Sequence, residues 1–92
     1  MWRRRSRSLN RLALALWVAW AVLVWNDDVN TFAHVIKALV EILNLTLTRA
    51  EQLADRVHRA GKAVVAVRPK EEAAATVRRF HSRLIQATME PQ

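Results

Sequence analysis

The sequence predicts an α+β fold. It reads as a single small domain in β-α-α-β-α-β order, a three-stranded antiparallel sheet covered by three helices. Three observations lead there. A Val- and Trp-rich run ends at Trp25, and the apolar period then changes from continuous to helical. The only glycine, Gly61, separates a second helical stretch from the short β-branched segment "KAVVAVR". Pro69 then stops that strand and opens a third helical stretch, after which "IQATME" closes the chain.

Taken in order, residues 1–11 read as a basic tail, and residues 1–19 as an extension ahead of a domain at 20–92. Trp20 to Trp25 reads as a buried strand, because Val and Trp suit a pleated, packed surface. Phe32, Val35, Ile36, Leu39, Val40 and Leu43 form one apolar helical face, ending near Asn44. "LTLT" makes the turn. Thr48-Arg49-Ala50-Glu51 has a capping-box pattern, so the second helix is expected to start there, with Leu53, Ala54, Val57 and Ala60 inward. Residues 62–68 form the second strand. Glu71 and Glu72 lie in the first turn of the third helix, where its dipole favours acids, and Val77, Phe80 and Leu84 are its expected inner face. Residues 85–90 form the last strand.

Composition narrows the function. With 92 residues and 52% hydrophobic content, the chain can build one modest core. It has no cysteine, which removes thiolate chemistry and disulfides, and one glycine leaves no phosphate-cradling loop. The net charge of +7 is concentrated in Arg3, Arg4, Arg5, Arg7 and Arg11. Beyond them ten Lys and Arg face eight Asp and Glu, a balance of +2, so the domain itself lacks the basic character of a nucleic-acid reader. The apolar run Leu12–Trp25 has 14 residues, short of the roughly 20 that span a bilayer. Its basic lead and Ala19-Trp20-Ala21 do suit a signal peptide, which makes a small exported or membrane-associated protein the rival reading. Cleavage after Ala21 would cut the first strand.

Catalysis has little support. Ser6, Ser8 and Ser82 lie in no nucleophile-elbow context. Asp27 and Asp28 diverge if the backbone is extended, and neither they nor His58 stand at a diagnostic metal-ligand spacing. No enzyme, cofactor or metal is expected. Asn26, Asp27 and Asp28 can be read simply as a strand end and helix cap, since such side chains hold local N–H groups. His58 can be read as a residue complementing a helix C-terminus, and His34 and His81 as helix-surface residues.

Three landmarks add to this. "NDDVN" at 26–30 follows the apolar strand, "VHRAGKAVV" occupies 57–65, and "ATME" stands at 87–90, with 32 positions from Asn26 to His58. In residues, order and separation the chain resembles the ClpS adaptors, which bind N-degrons for a Clp-type AAA+ unfoldase. The resemblance covers about Trp20 to Glu90.

It implies that Asn26, Asp27 and His58 receive the α-ammonium of a peptide, Asp27 supplying charge. A free N-terminus has an ordinary pKa of about 7.7–8.0 and offers three donors, so it calls for a ring of acceptors. Asp28 and Asn30 would contact the peptide backbone. Phe32, Val35, Ala54, Val57 and Ile85 would wall an apolar pocket for the first side chain, with Phe32 standing where Met is common. Glu71 matches a position used for docking on the unfoldase, whereas Thr76 replaces a common Lys. The implied partners are a ClpA- or ClpC-like unfoldase and N-degron proteins beginning with Leu, Phe, Tyr or Trp. Small-molecule substrates and specific nucleic acids are not implied, and the protein is expected to be monomeric and cytoplasmic.

Overall fold

The structure is a computed structural model that describes residues 19–92. The basic tail, Trp17 and all of the expected extension but Ala19 lie outside the described residues. The elements are β1 (Trp20–Trp25), α1 (Phe32–Leu43), α2 (Leu47–Ala60), β2 (Lys62–Arg68), α3 (Lys70–Ser82) and β3 (Ala87–Pro91), in the expected order.

β1 is central in an antiparallel sheet of order β2-β1-β3. Paired on both edges, it is buried from Ala21 to Val24, which explains its unbroken apolar run. Trp25 faces Lys62 across the β1–β2 ladder, and a bulge at Val22/Leu23 shifts the register further along. Val22 and Val24 join Leu39, Leu53, Phe80 and Ile85 in one core, the largest side chains that are fully buried. This sandwich of a sheet and helices removes the apolar stripe of each helix from water.

The helix ends show local sequence at work. Thr31 caps α1, its hydroxyl accepting from His34 N–H at 3.0 Å, and Asn44 ends the helix in the left-handed region. α2 begins earlier than the Thr48 box predicts. Thr46 is its cap, accepting from Arg49 N–H at 3.2 Å, because the left-handed turn at Asn44 leaves only Leu45 before the next helix must start. Gly61 takes φ 89° after α2, and its N–H bonds Val57 O at 2.9 Å, as its place in the sequence predicts.

Two inner-face expectations change. Ala60 is exposed at the end of α2. Leu84 is also exposed, because α3 stops at Ser82 and residue 84 turns left-handed at φ 62°; Ile85 takes the inward place instead. Among the described residues no helix is long and apolar enough to cross a membrane.

Candidate functional site

The end of β1 gathers the site. Asn26 N–H donates to Gly61 O at 2.9 Å, which ties the strand end to the turn after α2 and sets His58, in the last turn of α2, beside it. Trp25 N–H donates to Gln86 O at 3.0 Å, which draws in the segment carrying Ile85. Residues 32 and 27 positions apart thus meet at one end of the sheet.

The chain from Asp27 to Asn30 is a compact turn. One Asp27 carboxylate oxygen accepts from Val29 N–H at 2.9 Å and Asn30 N–H at 2.8 Å, while Asn30 Nδ2 donates to the other at 3.0 Å. This is an Asx turn, the local role expected of Asp here. The backbone N–H of Asn30 is the main reason the Asp27 carboxyl is held below its ordinary value; desolvation opposes, and the Asn30 amide and Val29 N–H add to the lowering. Asp27 therefore carries a firm negative charge at the site while its oxygens build the turn.

Asn30 has a second duty. Its Nδ2 also donates to Leu84 O at 2.7 Å, so the turn after β1 holds the segment after α3. His34 and His81 are more than helix-surface residues. His34 Nε2–H donates to Arg83 O at 2.9 Å, and His81 Nε2–H to Ala87 O at 2.8 Å, because both helices present their rings to a neighbouring loop or strand. Nothing in the local sequence signals these distant carbonyl partners.

A cavity of about 350 Å³ opens between these segments. Phe32, Val35, Ala54, Val57 and Ile85 supply its apolar wall, and Asn26, Asp27, Asp28, Asn30 and His58 its polar side. Trp25 and Thr31 line it too, two residues that the motifs did not single out. Val57, Ala54 and Ile85 are buried, while Phe32 is 47% exposed at the mouth. The Phe32 ring stands edge-on to His58, with centroids 6.5 Å apart and planes at 80°.

Within the described residues the side chains of Asn26 and Asp28 make no hydrogen bond or ion pair, and the His58 ring has only its contact with Phe32. The arrangement is an apolar hole with unspent acceptors at its rim. No group of three His, Cys, Asp or Glu among the described residues could hold a metal ion. Glu71 lies apart from the cavity, exposed in the first turn of α3.

The family described as ATP-dependent Clp protease adaptor protein ClpS matches residues 18–90. The chain belongs to the ClpS family. It is 42% identical over 73 residues to the ClpS adapter of Thermosynechococcus vestitus, covering 76% of this chain and 73% of that one. It is 35% identical over 71 residues to the ClpS adapter of Corynebacterium diphtheriae, covering 77% of this chain and 63% of that one. Among solved structures, Agrobacterium tumefaciens ClpS2 bound to L-phenylalaninamide is similar at a TM-score of 0.77 and 21% identity. That likeness covers 83% of this chain and 99% of that one, and it concerns the fold alone. ClpS proteins are adaptors of the ATP-dependent Clp protease.

Proposed function

We propose that this ClpS-family chain binds the free N-terminal residue of proteins beginning with Leu, Phe, Tyr or Trp and delivers them to a ClpA- or ClpC-like unfoldase. The observation that carries the reading is the cavity itself, an apolar wall beneath a rim of unspent polar groups. The first side chain enters between Val35, Ala54, Val57 and Ile85. Its burial contributes about 1.5–3 kcal/mol. The α-ammonium remains at the rim, where Asn26 Oδ1 and a His58 ring nitrogen accept from it.

Asp27 supplies charge from its turn, and Asp28 lies free beside it. Each charge-assisted bond contributes about 1.5–3 kcal/mol. Asn30 Oδ1 faces the first peptide group, its amide nitrogen being engaged with Asp27 and Leu84. The ClpS2 structure supports this choice of ligand, since L-phenylalaninamide combines a free amine, an aromatic side chain and an amide in place of the next peptide bond. In this reading the adaptor acts as a cytoplasmic monomer, with Glu71 on the face that meets the unfoldase.

Fluorescence anisotropy with a Leu-initiated peptide tests the proposal. Acetylation removes the charge and adds bulk, so the acetylated peptide should bind more than tenfold more weakly, a loss of about 1.4 kcal/mol or more. Equal affinity for both peptides would refute the reading. His58→Ala should weaken binding while the domain stays folded, because His58 is exposed and outside the core.

A further inference from the structure

Leu84 is a large apolar side chain left in solvent on a firmly held backbone. It is a bulky residue at φ 62°, a backbone region that glycine and asparagine enter far more readily. The residue is 79% exposed, so its side chain packs little against the domain. Yet its backbone is firmly placed, with Asn30 Nδ2 on its carbonyl and His34 Nε2 on that of Arg83. The left-handed backbone itself closes α3, with Leu84 N–H on His81 O at 2.9 Å and Ile85 N–H on Phe80 O at 3.0 Å, so the fold accounts for the turn, whereas the exposed side chain is left without a role in it.

Its surroundings offer that side chain a role. Leu84 borders a shallow apolar depression with Trp25, Ile85 and Ala87. Trp25 and Ile85 also line the cavity, so the two adjoin at these residues. The Trp25 indole is fixed by its Nε1–H bond to Thr88 Oγ1 at 2.8 Å, and the Lys62 ammonium lies 4.8 Å from its ring centroid. Asn30 connects the surfaces from the other side, since it lines the cavity and touches Leu84. A peptide anchored by its ammonium near Asn26 and running past Asn30 therefore arrives at Leu84.

We propose that the shelf formed by Leu84 and Trp25 is a second subsite for the bound peptide, accepting an apolar side chain at its third residue. The inference rests on the reading of the cavity as the site for a free N-terminal residue. The register follows from extended backbone. Successive side chains alternate sides at about 3.3 Å per residue, so when residue 1 points into the cavity, residue 3 returns to the same surface about 7 Å along. Residue 2 points away and contributes little selectivity. Bulk at residue 3 gains by covering Leu84 and the Trp25 ring, which remain partly wet, so the gain is smaller than at residue 1.

The test uses the full chain and matched, C-terminally labelled peptides beginning Leu-Ser-Leu or Leu-Ser-Ser, with Leu-Leu-Ser as the register control. The Leu-Ser-Leu peptide should bind about fivefold more tightly than Leu-Ser-Ser, as partial burial of one Leu side chain implies. The Leu-Leu-Ser peptide should bind like Leu-Ser-Ser.

Leu84→Gly should abolish the gain at residue 3, keep the requirement for a free amine, and hold or raise the melting temperature, since glycine relieves the left-handed backbone. A gain that persists in Leu84→Gly, a gain at residue 2 in place of residue 3, or a lowered melting temperature would each overturn the subsite. If acetylated and free peptides bind alike, the cavity reading falls and the subsite with it. A retained amine requirement without the Leu84-dependent gain sinks only the subsite.

Discussion

Phe32 offers the sharpest probe of selectivity. It opens α1 at the cavity mouth, one turn from Val35 on the same helical face, with its ring edge-on to His58. A flat ring has less freedom than a Met side chain would have here. Side chains branched at Cβ put their bulk near the ammonium and so press on the mouth, whereas Leu carries its branch deeper. Ile and Val should therefore bind more weakly than Leu despite similar apolar area. A misplaced methyl in such a cavity costs about 1–3 kcal/mol, or roughly 10- to 200-fold. Phe32→Ala removes the constraint. With Phe32 47% exposed, only about half of the residue is buried, so the stability cost should be about 1 kcal/mol and the domain should remain folded. Anisotropy titrations of Leu-, Ile- and Val-initiated peptides should show the Leu-to-Ile ratio collapsing to about threefold or less, with the free amine still required. An unchanged ratio would mean that Phe32 is merely a helix residue and that the cavity's depth sets selectivity.

Asp27 predicts an acid sensitivity. Its folded pKa is lowered, so it contributes stability that is complete above the ordinary value of 3.8 and lost as pH falls through the folded value; the stability gap between the parent chain and Asp27→Ala should narrow as pH falls below that ordinary value. A gap that is constant with pH in denaturant titrations would contradict the turn's charge-based stabilisation. Glu71→Lys should leave peptide affinity unchanged and slow degradation of a Leu-initiated reporter by the cognate Clp protease, and normal degradation would remove Glu71 from the docking face. Deleting residues 1–16 should also spare peptide affinity, because the cavity is lined by residues from Trp25 onward. Degradation by that form should fall if the extension engages the unfoldase, and full degradation would refute that role.

The sequence was most legible where one physical signal dominates. β1 and β2 run over the residues expected, since β-branched and aromatic runs end sharply at Asn26, Gly61 and Pro69. The capping-box pattern puts the start of α2 two residues late, at Thr48 instead of Thr46, while the inward positions Leu53, Ala54 and Val57 are the same for either. Helical period fixes a face, not a first residue. Leu84 fits the period of α3 beside Val77 and Phe80, but the helix has already ended in a left-handed turn closed by Leu84 N–H to His81 O and Ile85 N–H to Phe80 O, and Asn30 and His34 hold that turn from outside. The family resemblance, not physical reasoning from the residues, singled out Phe32, Val35, Ala54, Val57 and Ile85 beside Asn26, Asp27, Asp28, Asn30 and His58, and it left out Trp25 and Thr31, which line the same cavity. Physical chemistry alone could offer Asn26 as a strand end and His58 as a helix terminus, because the bond that brings their segments together, Asn26 N–H to Gly61 O, is long-range.

That bond belongs to a set that bears on how the site works. Trp25 N–H to Gln86 O, Asn26 N–H to Gly61 O, Asn30 Nδ2 to Leu84 O and His34 Nε2 to Arg83 O pin three loop segments to one another around the cavity. Its deepest walls, Ala54, Val57 and Ile85, are also core residues, at 2–3% exposure. A wall shared with the core cannot move without opening the core, because interiors are close-packed. The cavity is thus largely formed before a ligand arrives, and little binding energy is lost to ordering it. The parts able to adjust are at the rim: Phe32 at the mouth, and Asn26, Asp28 and His58 with free polar atoms. In the proposed reading, recognition divides by depth. The rigid floor selects size and apolarity, while the rim selects charge and shape near the first Cα. Substitutions at Ala54 should consequently alter which side chains fit and lower stability together, whereas substitutions at Asn26 or His58 should alter affinity for the amine alone.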